Sequence, residues 1–101
     1  MLKIEKADTF FKRLRGLIGR KNLPQGYGLM IFPCNSIHML FMKFEIDAIF
    51  IDEHFTIKKI ARNLKTWTGF AICIGASAVV EVAAGESARL NLAVGQKLKV
   101  E

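Results

Sequence analysis

Apolar residues are spaced differently at the two ends of this chain. Near the start, Phe10, Phe11, Leu14, Leu17 and Ile18 stand at i, i+1, i+4, i+7 and i+8. At about 100° per residue they form one stripe of a helix, with Lys12 opposite and Arg13 and Arg15 on its shoulders. Asp8 is a natural N-cap and Gly19 a natural stop, so the spacing predicts a helix over 8–19 that lays its stripe on a sheet. Ile4 belongs to a short strand before it.

Beyond residue 24 the periodicity is that of strands. Pro24 to Gly28 reads as a turn, and Leu29, Met30, Ile31 and Phe32 follow as a buried strand that Pro33 ends. Ile37 to Met42 and Ile46 to Asp52 read as further strands. Asp52-Glu53-His54 is a polar turn leading into Phe55 to Arg62, where apolar and polar positions alternate imperfectly, so the two arms form a hairpin. Asn63 to Gly69 reads as a loop. Phe70 to Ala76 is ambiguous between strand and packed loop, and Val79 to Ala84 is strand-like up to Gly85. Glu86 to Ala93 suits two helical turns, and Gln96 to Val100 alternates as a terminal strand. The sum is a mostly antiparallel β domain with a minor helical part, in one domain spanning 1–101.

One segment breaks the pattern chemically. Ile46, Ala48, Ile49, Phe50 and Ile51 surround Asp47 with hydrocarbon, and an ionised carboxylate there must be paired, hydrogen-bonded or shifted in its titration. Two partners suggest themselves: an arginine of the N-terminal segment, Arg13 first and Arg20 second, or backbone N–H groups at a strand bend. Asp52 lies five positions on. On a continuous strand it faces the other side, so the two carboxylates make no acid/base dyad unless a bulge intervenes, and Asp52 is more simply a turn residue.

Composition adds partners and compartment. The chain is 51% hydrophobic, which is rich for 101 residues and points to apolar surface covered by a small ligand, another protein or a second copy in a homodimer. No apolar run approaches the roughly 18 residues that span a bilayer, and charges interrupt Met1 to Lys6, so a cytoplasmic protein without a membrane span is expected. Cys34 and Cys73 fit no Cys-x-x-Cys pattern and are expected as reduced thiols. The net charge of +6 is concentrated in residues 1–21 and 58–65.

The order and spacing of several short motifs resemble one family. Arg13, Gly16-Leu17-Ile18, Arg20, Leu23-Pro24, Gly28-Leu29-Met30 and Phe32 resemble the opening signature of the domain of unknown function 192. Met39, Ile46-Asp47, Phe50 and Ile51-Asp52 resemble its central motif, and Glu81-Val82, Ala84-Gly85 and Gly95 its closing one. The chain departs from the pattern at His38, where relatives often carry Trp, and at Glu45, where they often carry Pro. The resemblance implies a compact β sandwich or barrel with a flanking helix, and no assigned reaction or cofactor.

Three functions compete for the conspicuous residues. The leading one is a non-catalytic binding module presenting a pocket or sheet edge near Arg13, Arg20, His38 and Asp47, with Asp52 close by. The second is a hydrolase with Asp47 or His38 as base, which needs a nucleophile or metal within reach. The third is a basic surface for nucleic acid or another polyanion, built from Lys12, Arg13, Arg15, Arg20 and Lys21 with Lys58, Lys59, Arg62 and Lys65, if both clusters share a face. Cys34, His38, His54 and Cys73 have the atoms for zinc but not the paired spacing, so no metal is expected. His38 is expected to be packed. Met30, Met39 and Met42 with Phe41, Phe44 and Phe50 read as core.

Overall fold

The structure, a computed structural model, describes residues 2–7, 23–39 and 42–101. The helix expected over 8–19, with Arg13 and Arg20, lies outside the described residues. In chain order the described elements are β1 (Lys3–Ala7), β2 (Tyr27–Ile31), β3 (Ser36–His38), β4 (Ile46–Ile51), β5 (Ile57–Leu64), β6 (Phe70–Ile72), β7 (Ala78–Ala83) and the short helix α1 (Glu86–Arg89). The chain is mostly β.

Five strands form one open sheet in the order β1-β2-β7-β4-β5, and β3 pairs with β6 in a separate two-stranded ribbon. Among the described residues the sheet is not closed into a barrel. It is also mixed, because β1 runs parallel to β2 while β2, β7, β4 and β5 pair antiparallel. Central position explains the apolar run of β4: all six of its residues are buried, so the one-face alternation of a half-solvated strand is lost.

Each face of the sheet carries its own cluster. On one face Ile46, Ala48, Phe50 and Val79 pack with Leu29 and Ile31, and the ribbon adds Ile37 and Ala71. On the other face Ile49, Ile51, Val80 and Val82 meet Met30, Leu2, Ile57 and Leu98, with Leu90 and Leu92 partly buried against them. Side chains alternate along β4, so Asp47 belongs with Ile49 and Ile51 on the second face, the one covered by α1 and the C-terminal segment.

Four elements differ from the sequence expectation for local reasons. The strand expected over 37–42 ends at His38, because the Met39 carbonyl accepts the N–H of Met42 at 3.1 Å and of Trp67 at 2.9 Å and turns the chain. The helix expected over 86–93 makes one turn, ended by Asn91 at a φ of 55°, a left-handed conformation that stops helices. The terminal strand is reduced to bridges, Leu2 with Val100 and Thr56 with Lys97. In β5 the register with β4 steps from Ile46↔Leu64 to Ala48↔Ala61, so Arg62 and Asn63 together oppose Asp47 in a bulge.

Candidate functional site

The bulge leaves the N–H of Asn63 without a ladder partner, and Asp47 receives it. Asn63 N–H donates to Asp47 Oδ1 at 2.9 Å. The other oxygen, Oδ2, accepts the N–H groups of Gly85 and Ser87, each at 3.1 Å, and the Ser87 hydroxyl at 2.7 Å. The first turn of α1 needs such an acceptor, since its N-cap is Gly85, at φ 94°, which has no side chain to cap with. Asp47 therefore caps the helix from a neighbouring strand. At 1% exposure it would pay heavily for isolation, and four donors converging on two oxygens are the compensation.

A second buried carboxylate ties the same helix to the opposite side of the chain. Glu86, 2% exposed, accepts the Gly26 N–H at 2.8 Å and a two-pronged contact from Arg89, whose Nη2 lies 2.9 Å away and whose Nε also donates. The Arg89 guanidinium first, and then the Gly26 N–H, hold the Glu86 carboxyl below the usual carboxylate range against the opposing effect of burial. Arg89 is held correspondingly high by Glu86. Glu81 is also buried, at 3%, and lies on the face of β7 away from Asp47.

The other residues singled out in the sequence are dispersed. Asp52 closes the β4–β5 turn: its Oδ1 accepts the N–H groups of His54 and Thr56, both at 2.9 Å, and Lys58 lies 3.6 Å from Oδ2. The Thr56 N–H foremost, with the His54 N–H and the Lys58 ammonium, lowers its titration. His38 is exposed at the end of β3, opposite Phe70, so the expectation that it is packed is corrected. It sits on the ribbon, across the sheet from Asp47. The structure thus joins neither His38 nor Asp52 to Asp47, while Arg13 and Arg20 lie outside the described residues.

Cysteine and histidine chemistry is equally scattered. Cys34 donates its S–H to the Ser36 carbonyl at 2.9 Å, Cys73 sits beside Asn35 across the ribbon, and His54 is in the β4–β5 turn. Among the described residues no three His, Cys, Asp or Glu side chains gather as metal ligands. Of the described basic cluster, Lys58 faces Asp52, Lys59 donates to the Ile72 carbonyl at 2.8 Å and Arg62 to the Leu92 carbonyl at 3.4 Å.

The described surface has depressions of about 430 Å³ beside Pro33 and Ala76 and about 320 Å³ beside Ile4 and Pro24, and two further features. A cavity of about 450 Å³ opens beyond the end of α1, between Leu2, Leu90, Leu92 and Leu98 and the polar side chains of Gln96, Lys97 and Lys99. The ribbon's outer face and its flanks expose Trp67, Phe70, Ile72 and Ile74, the last at 87%. Sequence reasoning missed Glu86, Ser87 and the cavity. Glu86 did carry a signal, an acid directly after a glycine at a helix start, where first-turn acids are favoured.

The family described as DUF192, "Uncharacterized ACR", matches residues 1–100. The chain belongs to this family. A UPF0127 protein of Thermococcus sibiricus is 34% identical over 98% of the chain, and the chain spans 66% of that relative's length. A crystal structure of a protein of unknown function from Novosphingobium aromaticivorans superposes with a TM-score of 0.87 at 25% identity, covering 97% of this chain and 74% of that one. A Sinorhizobium meliloti protein gives 0.89 at 23% identity, covering 97% and 81%, and carries the fold alone. Family membership accounts for the ordered motifs around Asp47 and Glu81.

Proposed function

We propose that residues 1–101 form one non-catalytic binding domain whose site is the cavity between Leu90, Leu92 and Leu98. The observation that carries this is the state of Asp47. Both of its oxygens accept hydrogen bonds from β5 and α1, and it is 1% exposed, so its lone pairs are directed at the fold and not at a substrate. What the carboxylate does instead is fix α1, and α1 delivers Leu90 and Leu92 to the cavity wall. The volume falls in the range of about 300–1,000 Å³ used by small-molecule sites.

The rival readings draw less support. A hydrolase built on His38 would need a nucleophile or metal beside it, and His38 faces solvent opposite Phe70. A polyanion surface is weakened by the contacts that Lys58, Lys59 and Arg62 already make. The exposed ribbon face favours a second binding reading, a protein partner or a second copy.

Titration with the fluorescent apolar anion 1-anilinonaphthalene-8-sulfonate separates the two binding readings. One saturable site is expected, lost in Leu92→Ser and kept in Phe70→Ser. Binding that persists in Leu92→Ser and disappears in Phe70→Ser moves the site to the ribbon. No saturable binding at all removes the cavity reading.

A further inference from the structure

We infer that the cavity selects a small hydrophobic carboxylate, an acyl or aryl group ending in a CO₂⁻; this rests on the binding reading above and assigns the ligand's chemistry. The apolar part of the lining is four leucines: Leu2 and Leu98 are core residues that form its floor, and the half-buried Leu90 and Leu92 supply the apolar area a ligand could still remove from water. Among the described residues the cavity's polar lining side chains are Gln96, Lys97 and Lys99, none of them acidic.

The hydrogen bonds at the mouth sharpen this. The Gln96 carbonyl oxygen accepts the Ala93 N–H at 3.2 Å, which turns its NH₂ into the part left to meet a ligand. The Lys97 ammonium donates to the His54 carbonyl at 2.9 Å, outside the lining, and keeps further protons to donate. Lys99 brings a second ammonium. Among the described lining residues each polar side chain can therefore donate, and two of the three are cationic. A ligand head that only accepts hydrogen bonds and carries negative charge fits all three, an alcohol fits without the charge, and an ammonium meets like charge.

The experiment is displacement of bound 1-anilinonaphthalene-8-sulfonate by octanoate, 1-octanol and octylammonium, which share one chain and differ in the head. Octanoate is expected to displace the dye at about fivefold lower concentration than octanol, the scale of one solvent-exposed ion pair, with octylammonium the weakest. The preference is expected to shrink with added salt. In Lys99→Gln and in Lys97→Gln/Lys99→Gln, the ratio of octanol to octanoate midpoints, in which the weakened binding of the anionic dye cancels, should fall toward one, which a loss of folding would not produce. Equal displacement by octanoate and octanol, or a preference that survives the double variant, overturns the carboxylate assignment and leaves the cavity standing. Dye binding that fails to depend on Leu92 removes the cavity and this inference together.

Discussion

Removing the Asp47 carboxylate tests the central structural claim, that it is a strut between β4, the β5 bulge and α1. In Asp47→Ala four donors lose their acceptor: the N–H groups of Asn63, Gly85 and Ser87 and the Ser87 hydroxyl. Their fates differ with burial. Asn63 and Gly85 are exposed and can turn to water, whereas Ser87 is wholly buried at 0%. Its two orphaned donors cost roughly 1–3 kcal/mol each. Relief of the carboxylate's own desolvation offsets part of this, so a net loss of about 3 kcal/mol is expected, or about 12–24 °C in Tm for a chain of this size.

The conservative change is predicted from the same geometry. In Asp47→Asn the carbonyl oxygen keeps the Oδ2 position with its three donors, and the NH₂ faces the Asn63 N–H. Only the water-accessible contact is then lost, at about 1 kcal/mol. Urea midpoints for wild type, Asp47→Asn, Asp47→Ala, Ser87→Ala and the Asp47→Ala/Ser87→Ala double variant give both the ranking and the coupling energy. A coupling of about 1–2 kcal/mol is expected between Asp47 and Ser87, because they share a bond in a buried site. Additive effects, or an Asp47→Ala protein within about 0.5 kcal/mol of wild type, the range of an ordinary surface substitution, would refute the strut.

Two further predictions concern other supports of the same frame. Because Glu86 titrates below its usual range in the fold, its contribution to stability is fully present above the unfolded value of about 4.3 and is lost as pH falls through the lower folded value. Urea midpoints from pH 7 to pH 3 should therefore decline less in Glu86→Gln than in wild type, from a lower start; parallel declines would contradict the assignment. At Gly69 an added Cβ would lie 2.6 Å from the Lys65 carbonyl oxygen and 2.9 Å from the Lys65 nitrogen, so Gly69→Ala must move backbone and should cost at least 1–3 kcal/mol, about the scale of overpacking. Gly75→Ala, also at a turn but with nothing within 4 Å of its Cβ, meets only the strain of a φ of 97° and should cost about 1–2 kcal/mol; equal thermal shifts for the two would show that close approach is not what Gly69 answers.

The contrast between what could and could not be read in the chain has one physical origin. The β4–β5 hairpin was legible because an apolar run, a polar turn and an alternating run are adjacent in sequence. Asp47 was legible as a misfit, since a carboxylate among Ile46, Ala48 and Ile49 demands an explanation wherever the chain goes. Backbone N–H groups at a strand bend were one of its two expected partners, but which residues would supply them was not legible. Gly85 and Ser87 lie 38 and 40 residues away, and most of the donors are backbone N–H groups, which every residue but proline has and no side chain announces. The other expected partners, Arg13 and Arg20, lie outside the described residues. The parallel pairing of β1 with β2 was hidden for a related reason, since nothing in Lys3–Ala7 specifies which edge it joins. His38 was misplaced because the run from Ile37 to Met42 looks apolar throughout, whereas in β3 Ile37 and His38 point to opposite faces and His38 falls on the outer one with Phe70.

That distinction bears on the function of the most conspicuous residue. A buried carboxylate attracts a catalytic reading because active sites and structural networks both perturb acids. The two uses differ in where the lone pairs point. A general base needs one oxygen turned toward a space that a substrate can enter, within about 3 Å of the proton it takes. Asp47 Oδ2 is enclosed by Gly85 and Ser87, and Oδ1 is turned to the backbone of the β5 bulge. Both bonds hold irregular backbone that the sheet ladder cannot satisfy, a bulge on one side and an uncapped helix start on the other. Asp47 is therefore more simply explained by those two irregularities than by a reaction.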